Sequence, residues 1–277
     1  VKVSYQYDKV TEFNEYGFAG ILKDKKSPEG YIIPQEIIKE DKLKDCVYGI
    51  KGLDIKGCNV TIPHKVNIIK YLDSIDDNAK LIGAVNTIKN KGGILKGYNT
   101  DGRGFVKSIL DKGYDIKNKK VMIIGAGGAC RSIAIEMASQ GVKSIEIRNR
   151  SLDRANEIID SINKNFNTEA NCSKDAIDSS CLMDIDILIN TTPIGMESDL
   201  CPIDTNIVID KKLLVCDIVY KPQNTAFLKW AKKNNLEIIY GIDMLINQAL
   251  EAFYIWTGIN PCNEDFEHIK KLYENSI

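Results

Sequence analysis

The sequence of 277 residues has almost no net charge, only two histidines and no long apolar run. Its 37 lysines and arginines nearly balance its 38 aspartates and glutamates, so no overall field would attract nucleic acid or an anionic membrane surface. No apolar stretch approaches the roughly 20 residues that a membrane-spanning helix needs. We therefore expect neither a nucleic acid nor a membrane as partner.

Cysteine is present, but not in a pattern typical of a metal site or a disulfide framework. The eight cysteines are scattered, none forms a Cys-x-x-Cys pair, and His64 and His268 are the only histidines. In a chain of this size, such spacing argues against a disulfide-rich scaffold. The sequence therefore predicts no metal, reduced thiols and a cytoplasmic location.

The second half of the chain alternates short β-branched runs with helical patterns. Near-continuous apolar strands separated by helices are typical of a parallel, doubly wound sheet. Ser151 stands where the second helix of this region would have its N-cap. Strands are predicted at 121–124, 144–149, 184–192, 213–219 and 236–241, and helices at 129–140, 151–162 and 225–235.

The first hundred residues have a different pattern, which predicts a smaller α/β domain. A hairpin at 84–99 would turn at 90–93, where Asn90 is followed by Lys91 and two glycines. We predict one domain over residues 1–101 and a Rossmann-type domain over 102–241, with helices in 242–277 packing back on the first. The other elements predicted are a strand at 57–63 and helices at 42–53, 64–73, 102–113, 244–258 and 264–276.

A glycine-rich turn lies between the strand at 121–124 and the helix that follows it. Gly125 would permit the tight turn, and Gly127 would let a pyrophosphate approach the backbone. The N–H groups and positive dipole at the start of the helix would bind that anion. Cys130 occupies the third position of the fingerprint, where glycine or alanine is usual. The residues of this predicted dinucleotide site are Gly125, Ala126, Gly127, Gly128 and Ala129.

The residues after the next strand indicate which dinucleotide is bound. NAD sites usually carry an aspartate or glutamate there, which accepts hydrogen bonds from the ribose hydroxyls. This chain has Arg148-Asn149-Arg150-Ser151 instead, with Arg154 one helical turn later. Guanidinium groups would bind a 2′-phosphate, whereas a carboxylate would repel it. NADP is therefore the predicted cofactor, and Glu146 lies too early on the strand to reach the ribose.

Unusual polar residues concentrate at turn positions of the first domain. Lys65 follows the segment NVTIPH, Asn86 lies on the first strand of the hairpin, and Asp101 lies just beyond the second. Closure of the hairpin would bring Asn86 and Asp101 to one end. A Lys–Asp pair suits alcohol–ketone chemistry, because a proton must move with each hydride. Taken singly, Lys65 could be a solvated lysine and Asp101 a helix N-cap.

Taken together, these motifs resemble the shikimate dehydrogenase family. The resemblance runs in the family's order from about residue 57 to the end of the chain. The matching segments are NVTIPHK (59–65), IGAVNT (82–87), GYNTDG (97–102), IIGAGGACRS (123–132), RNRS (148–151), NTTPIGM (190–196), DIVYKP (217–222) and GIDMLINQA (241–249).

The resemblance implies NADP(H)-dependent, reversible reduction of 3-dehydroshikimate to shikimate, a step towards chorismate and the aromatic amino acids. It makes Lys65 the acid–base residue, paired with Asp101, and its substrate a cyclic polyol carboxylate. The implied substrate-binding residues are Thr61, Asn86, Asp101, Tyr220 and Gln248. The implied cofactor-binding residues are Gly125 to Ala129 at the pyrophosphate, Asn149, Arg150, Ser151 and Arg154 at the adenosine phosphate, and Thr191, Ile218 and Gly241 near the ribose and nicotinamide.

One family motif has no good match in this sequence. The family opens with Gly-x-Pro-x-x-His-Ser-x-Ser-Pro, whose two serines bind the substrate carboxylate. Here only Ser27-Pro28 corresponds, after a lysine-rich stretch. Ser27 with Lys25 or Lys26 could bind the carboxylate, the substrate could carry a different anionic group, or the N-terminal region could be rearranged and the activity weak or lost.

Three functions therefore remain open at the level of sequence. The first is a shikimate dehydrogenase, and the second is a quinate or aminoshikimate dehydrogenase on the same scaffold. The third is a non-catalytic NADP(H)-binding regulatory protein. The sequence also leaves both a monomer and a homodimer open, since no heptad pattern or unusual apolar stripe favours either.

Overall fold

A computed structural model describes residues 9–13, 19–22 and 39–275 of the chain. Its strands form three sheets of two, four and six strands. The two-stranded sheet is antiparallel and consists of β1 (Lys9–Phe13) and β2 (Ala19–Leu22). None of the helices in the described ranges is both long and apolar enough to cross a membrane.

The four-stranded sheet contains the predicted hairpin. Its order is β3-β5-β6-β4, and β5 pairs with β6 from Thr87↔Tyr98 to Lys91↔Ile94. Gly92 and Gly93 form the two-residue turn with φ values of 61° and 84°, a left-handed conformation that glycine adopts without steric cost. The strands are β3 (Gly57–Asn59), β4 (Ser74–Ile75), β5 (Thr87–Lys91) and β6 (Ile94–Tyr98).

The six-stranded sheet is parallel throughout and has the order β12-β11-β10-β7-β8-β9. The order reverses between β7 and β10, so the loops after these two strands open a crevice at one edge. This arrangement confirms the predicted α/β class and the doubly wound parallel sheet. The strands are β7 (Lys120–Ile124), β8 (Ser144–Arg148), β9 (Glu169–Ser173), β10 (Ile187–Asn190), β11 (Leu214–Asp217) and β12 (Glu237–Ile239).

Helices cover both faces of the six-stranded sheet, which is why its central strands are apolar on both sides. The α-helices are α1 (Leu43–Gly52), α2 (Asp77–Ile82), α3 (Asp101–Leu110), α4 (Gly128–Ser139), α5 (Leu152–Asn165), α6 (Ser179–Leu182), α7 (Ala226–Lys233), α8 (Gly241–Thr257) and α9 (Asn263–Glu274). Short 3-10 helices occupy Glu40–Lys42 and Asn67–Tyr71.

Helix α3 is packed tightly between α4 and α8. A Cβ atom built on Gly102 would lie 2.3 Å from the carbonyl oxygen of Ser132 in α4. One built on Gly104 would lie 2.4 Å from the backbone nitrogen of Gln248 in α8. Helix α8 also reaches the hairpin, where Trp256 Nε1 donates to the carbonyl of Ile88 over 2.9 Å. The helix that begins at Asp101 is thus held against elements of both large sheets.

Several details differ from the sequence predictions. The predicted helix at 64–73 is only the 3-10 segment Asn67–Tyr71, and the Lys65 carbonyl before it accepts from Val85 N (2.8 Å). Strands β1, β4 and β9 and helices α2 and α6 were not predicted. Ser151 is the N-cap residue of α5, but its side chain makes no capping hydrogen bond.

Candidate active site

The predicted Lys–Asp pair is formed at the open end of the hairpin. Lys65 lies in the turn region after β3, and Asp101 is the first residue of α3. Lys65 Nζ donates to Asp101 Oδ2 over 2.7 Å. The two side chains remain 27% and 17% exposed, so both are accessible from solvent. The arrangement is a partly desolvated ion pair beside solvent, which suits proton exchange with a bound hydroxyl.

Asn86 fixes the orientation of the Asp101 carboxylate. Its Nδ2 donates to Asp101 Oδ1 over 2.8 Å and also lies 3.0 Å from Thr100 Oγ1. Its Oδ1 accepts from the backbone nitrogen of Thr100 over 2.9 Å. Asn99 adds a further contact, since its Oδ1 accepts from Asp101 N over 3.1 Å. The two oxygens of Asp101 are therefore divided between Lys65 and Asn86.

Gln248 joins this group from α8. Its Oε1 lies 3.5 Å from Thr100 Oγ1, and its Nε2 donates to the carbonyl of Leu245. The structure thus brings together four of the predicted residues, namely Lys65, Asn86, Asp101 and Gln248. Thr100, which lies in the segment GYNTDG, is an additional member whose role the sequence did not predict.

The remaining substrate-site predictions are Thr61, Tyr220 and Ser27. Thr61 is exposed on the turn that leads to Lys65, and its carbonyl accepts from the backbone nitrogen of His64. Tyr220 is half-buried after β11, and its carbonyl accepts from Tyr273 Oη over 2.9 Å. Ser27 lies outside the residues that the structure describes, so its predicted contact with a carboxylate stays a prediction.

A cleft of about 760 Å³ opens at the crevice between β7 and β10. Gly125 has a φ of 104° there, and its N–H donates to the carbonyl of Arg148 over 2.8 Å. Thr191 closes the other side, since its Oγ1 and N both bond to the Ile124 carbonyl. The predicted residues that line the cleft are Gly125, Ala126, Gly127, Asn149, Arg150, Ser151, Arg154 and Thr191.

The glycine turn leaves room for a ligand's phosphates. No heavy atom lies within 4 Å of a Cβ built on Gly127 or Gly128, and α4 begins at Gly128 with its first N–H groups unpaired by the helix. Cys130 is fully buried under this turn, and burial raises the pKa of its thiol to about 12. A neutral, small side chain at that position permits the close helix–strand packing that the fingerprint requires. The residues fit a dinucleotide.

The arginines after β8 divide into two kinds. Arg148 Nη2 is paired with Glu146 Oε1 at 2.7 Å, and its Nη1 donates to the Asp175 carbonyl over 3.2 Å. Arg150 and Arg154 are exposed at the rim of the cleft, and within residues 39–275 no acidic side chain pairs with either. These two guanidinium groups are therefore the ones available for a phosphate, while Glu146 is directed to Arg148.

The cleft also contains residues that sequence reasoning did not single out. Thr192, Pro193 and Ile194 line it from the loop after β10, and Pro202 from further along the chain. The motif NTTPIGM was the available signal for the first three. Of the other predicted cofactor residues, Ala129 lies in the first turn of α4, while Ile218 and Gly241 lie beyond β11 and at the start of α8.

Comparisons with known protein families match three parts of the chain. The family model described as the shikimate dehydrogenase substrate binding domain matches residues 23–88. The model described as shikimate / quinate 5-dehydrogenase matches residues 105–218. The shikimate 5'-dehydrogenase C-terminal domain matches residues 241–261.

Several known proteins are similar to this chain over most of their length. The chain is 42% identical over 224 residues to shikimate dehydrogenase (NADP(+)) of Caldanaerobacter subterraneus, which covers 80% of this chain and 79% of that protein. The crystal structure of shikimate 5-dehydrogenase from Listeria monocytogenes in complex with shikimate and NAD is 35% identical, with a TM-score of 0.78, over 83% of this chain and 82% of that one. Ligand-free 5-ketofructose reductase of Gluconobacter sp. is also 35% identical with a TM-score of 0.78, over 87% and 86%. The chain belongs to the shikimate dehydrogenase family.

Proposed function

We propose that this protein is an NADP(H)-dependent dehydrogenase that reversibly reduces 3-dehydroshikimate to shikimate. The observation that carries the proposal is the 2.7 Å pair between Lys65 Nζ and Asp101 Oδ2, in a chain that also has a cleft suited to NADP. The names of the relatives, which include NADP-dependent shikimate dehydrogenases, support the same reaction. In cells, the reaction would serve the synthesis of chorismate and the aromatic amino acids.

The side chains of the site would move the proton that accompanies hydride transfer. When bound, the cofactor would supply the hydride that reduces the carbonyl carbon, or accept it in the reverse direction. Lys65 Nζ donates a proton to the carbonyl oxygen as that oxygen gains charge, and takes the proton back when the alcohol is oxidised. Asp101 holds Nζ in place and balances its charge. Asn86 keeps the Asp101 carboxylate from rotating by holding Oδ1.

The described donors and acceptors around this pair suit the hydroxyls of a ring. We assign Asn86, Asp101, Thr61 and Gln248 to the substrate hydroxyls, with Tyr220 at the edge of the site. The guanidinium groups of Arg150 and Arg154 would hold the 2′-phosphate of NADP, together with Asn149 and Ser151. Thr191, Ile218 and Gly241 would flank the ribose and nicotinamide, and the turn from Gly125 to Ala129 would hold the pyrophosphate.

We also propose that the chain has two domains, each built on one of the two large sheets. Residues 1–101 would form the substrate-binding domain and residues 102–241 the NADP domain, with helices in 242–277 returning to the first. Two contacts of α8 with the hairpin support this return, the bond from Trp256 to the Ile88 carbonyl and that from Lys89 Nζ to the Ile255 carbonyl. All eight cysteines are free thiols, which supports a reducing compartment such as the cytoplasm.

The decisive experiment is a substrate and cofactor panel with the purified protein. Shikimate and quinate are each oxidised with NADP or NAD, and 5-ketofructose is reduced with NADPH, because the likeness to 5-ketofructose reductase makes a polyol ketone the second candidate substrate. We expect the highest kcat/KM with shikimate and NADP. A higher value with quinate or 5-ketofructose would reassign the substrate. Calorimetric binding of NADP with no turnover of any of them would indicate a non-catalytic protein.

A further inference from the structure

A buried polar cluster lies where β10 and β11 end, next to the cofactor cleft. Its members are Asn190, Asp217 and Thr225, whose exposed fractions are 0%, 1% and 2%. Asn190 ends β10, Asp217 ends β11, and Thr225 is the N-cap of α7. A fully buried carboxylate at this depth is costly unless its oxygens are satisfied, so its partners should indicate what it stabilises.

The carboxylate of Asp217 accepts three hydrogen bonds from three parts of the chain. Oδ1 accepts from Asn190 Nδ2 and from the backbone nitrogen of Val219, both at 3.0 Å. Oδ2 accepts from Thr225 Oγ1 at 2.7 Å. Burial raises the pKa of this carboxyl, while the three donors oppose that rise. The aspartate therefore ties together the ends of two neighbouring strands and the start of a helix.

Asn190 extends this connection into the loop that lines the cleft. Its Oδ1 accepts from Thr192 N at 3.0 Å and from Thr192 Oγ1 at 2.7 Å, and its Nδ2 lies 3.3 Å from the Ile194 carbonyl. Thr192 and Ile194 both line the cleft. Since Asn190 is itself bonded to Asp217, the aspartate determines how Asn190 presents its amide to this loop.

A second connection runs through Ile218. The bond from Val219 N to Asp217 Oδ1 fixes the chain on both sides of Ile218. Gly241 packs against the same peptide, because a Cβ built on it would lie 2.5 Å from the Ile218 carbonyl oxygen. Ile218 and the loop after β10 are the parts of the site assigned to the nicotinamide half of the cofactor, whereas Arg150 and Arg154 are assigned to the adenosine half.

We propose that Asp217 is a positioning residue for the nicotinamide half of NADP, acting through Asn190 and the loop 191–196 on one side and Ile218 on the other. The inference rests on the proposed function for the identity of the cofactor. Asp217 would thus control the shape of the nicotinamide part of the site from a buried position, through other residues and without contacting the cofactor.

The test is a calorimetric comparison of two ligands, NADP and a fragment that contains only its adenosine half. Asp217→Asn keeps the size of the side chain but removes its charge and replaces one acceptor oxygen with an NH2 donor, so the three bonds cannot all be kept in their present directions. Because Asn190 and Ile218 are then no longer held as they are in the wild type, we expect NADP to bind about tenfold more weakly. Adenosine 2′,5′-bisphosphate, which lacks the nicotinamide half, should bind as tightly as it does to the wild type.

Other results of the same experiment would overturn the inference. Wild-type affinity for both ligands would mean that the carboxylate positions nothing in the cleft. Equal weakening of both would mean that Asp217 supports the fold as a whole and not one half of the site. Since wild-type affinity for NADP is measured first, a failure of the proposed cofactor is recognised before any variant is compared.

A second pair of variants keeps the test usable if Asp217→Asn does not fold. Thr225→Val removes the hydroxyl that donates to Asp217 Oδ2, and Thr225→Ser retains it. We expect weaker NADP binding for the valine variant and wild-type binding for the serine variant, with adenosine 2′,5′-bisphosphate bound equally by both. Identical NADP affinity in the two variants would contradict the role of Asp217.

Discussion

Lys65 and Asp101 are 36 positions apart in the sequence, yet their side chains form an ion pair of 2.7 Å at the open end of one hairpin. The pair depends on two separate pieces of local structure. The carbonyl of Lys65 accepts from the backbone nitrogen of Val85, just before the hairpin, and Asp101 begins the helix just after it. The acid–base pair is therefore anchored next to the two ends of the same hairpin.

Replacing Lys65 with methionine should remove the proton donor while preserving most of the side-chain length. We expect kcat for shikimate oxidation to fall by about 10²- to 10⁴-fold, the usual contribution of general acid–base catalysis. Affinity for NADP, measured by calorimetry, should not change. Lys70→Met is the matched control, since Lys70 is an exposed lysine on the neighbouring 3-10 helix, and it should retain wild-type turnover. Full turnover by Lys65→Met would remove the lysine from the mechanism.

Replacing Arg150 or Arg154 with alanine should weaken NADP binding selectively. Loss of a charge-assisted hydrogen bond to the phosphate would cost about 1.5–3 kcal/mol, which corresponds to roughly 10- to 100-fold in Kd. Affinity for NAD should change little, because NAD lacks that phosphate. Arg103→Ala serves as control, since Arg103 is paired with Asp76 outside the cofactor cleft. Equal losses for NADP and NAD would show that these arginines do not bind the phosphate.

Adding a methyl group at Gly104 should disturb the contact between α3 and α8. The new Cβ would meet the backbone of Gln248 at 2.4 Å, so the helices must separate, and overpacking of this kind typically costs about 1–3 kcal/mol. We expect a lower free energy of unfolding in urea and a raised KM for shikimate, because Gln248 moves with α8. Gly49→Ala in α1 is the opposite case. Nothing lies within 4 Å of its Cβ, so it should stabilise by about 0.5–1 kcal/mol.

The cysteines should react with a thiol reagent in an order set by their exposure. Cys262 is exposed and should be labelled first, and Cys262→Ser should abolish this fast phase. Cys130 and Cys216 are buried, and burial raises the pKa of both thiols, to about 12 for Cys130. Because the thiolate is the reactive form, both should stay unlabelled at neutral pH until the protein is unfolded. Mass spectrometry identifies the labelled sites, and native labelling of Cys130 would contradict the packing under the glycine turn.

Sequence alone predicted the parts of this fold that depend on local pattern. The turn at Gly125 was recognisable because an apolar strand precedes it and a helical pattern follows it. The meeting of Asn86 with Asp101 followed from a hairpin whose two-residue turn, Gly92-Gly93, fixes the pairing of its strands. In both cases, a few adjacent residues determine the geometry.

The features that were missed depend on tertiary contacts or on weak patterns. Strand β9 has the sequence EANCS, which lacks the β-branched residues typical of strands, and it is held at the sheet edge by pairing with β8. The segment after Lys65 contains only the 3-10 helix Asn67–Tyr71, next to a tertiary hydrogen bond from Val85 N to the Lys65 carbonyl. The pairing of Arg148 with Glu146 could have been predicted from the sequence, because residues two apart on a strand share a face.

Five residue pairs of the hairpin lie between its turn and the acid–base site, a distance of about 17 Å at the usual rise per residue. Extra residues inserted between Gly92 and Gly93 would extend into solvent without shifting Asn86 or Asp101. Deleting a single residue within either strand would instead turn the following side chains to the opposite face of the sheet. The same hairpin thus offers a permissive point for a peptide tag or a fluorescent label at one end and tolerates no change of length along its strands.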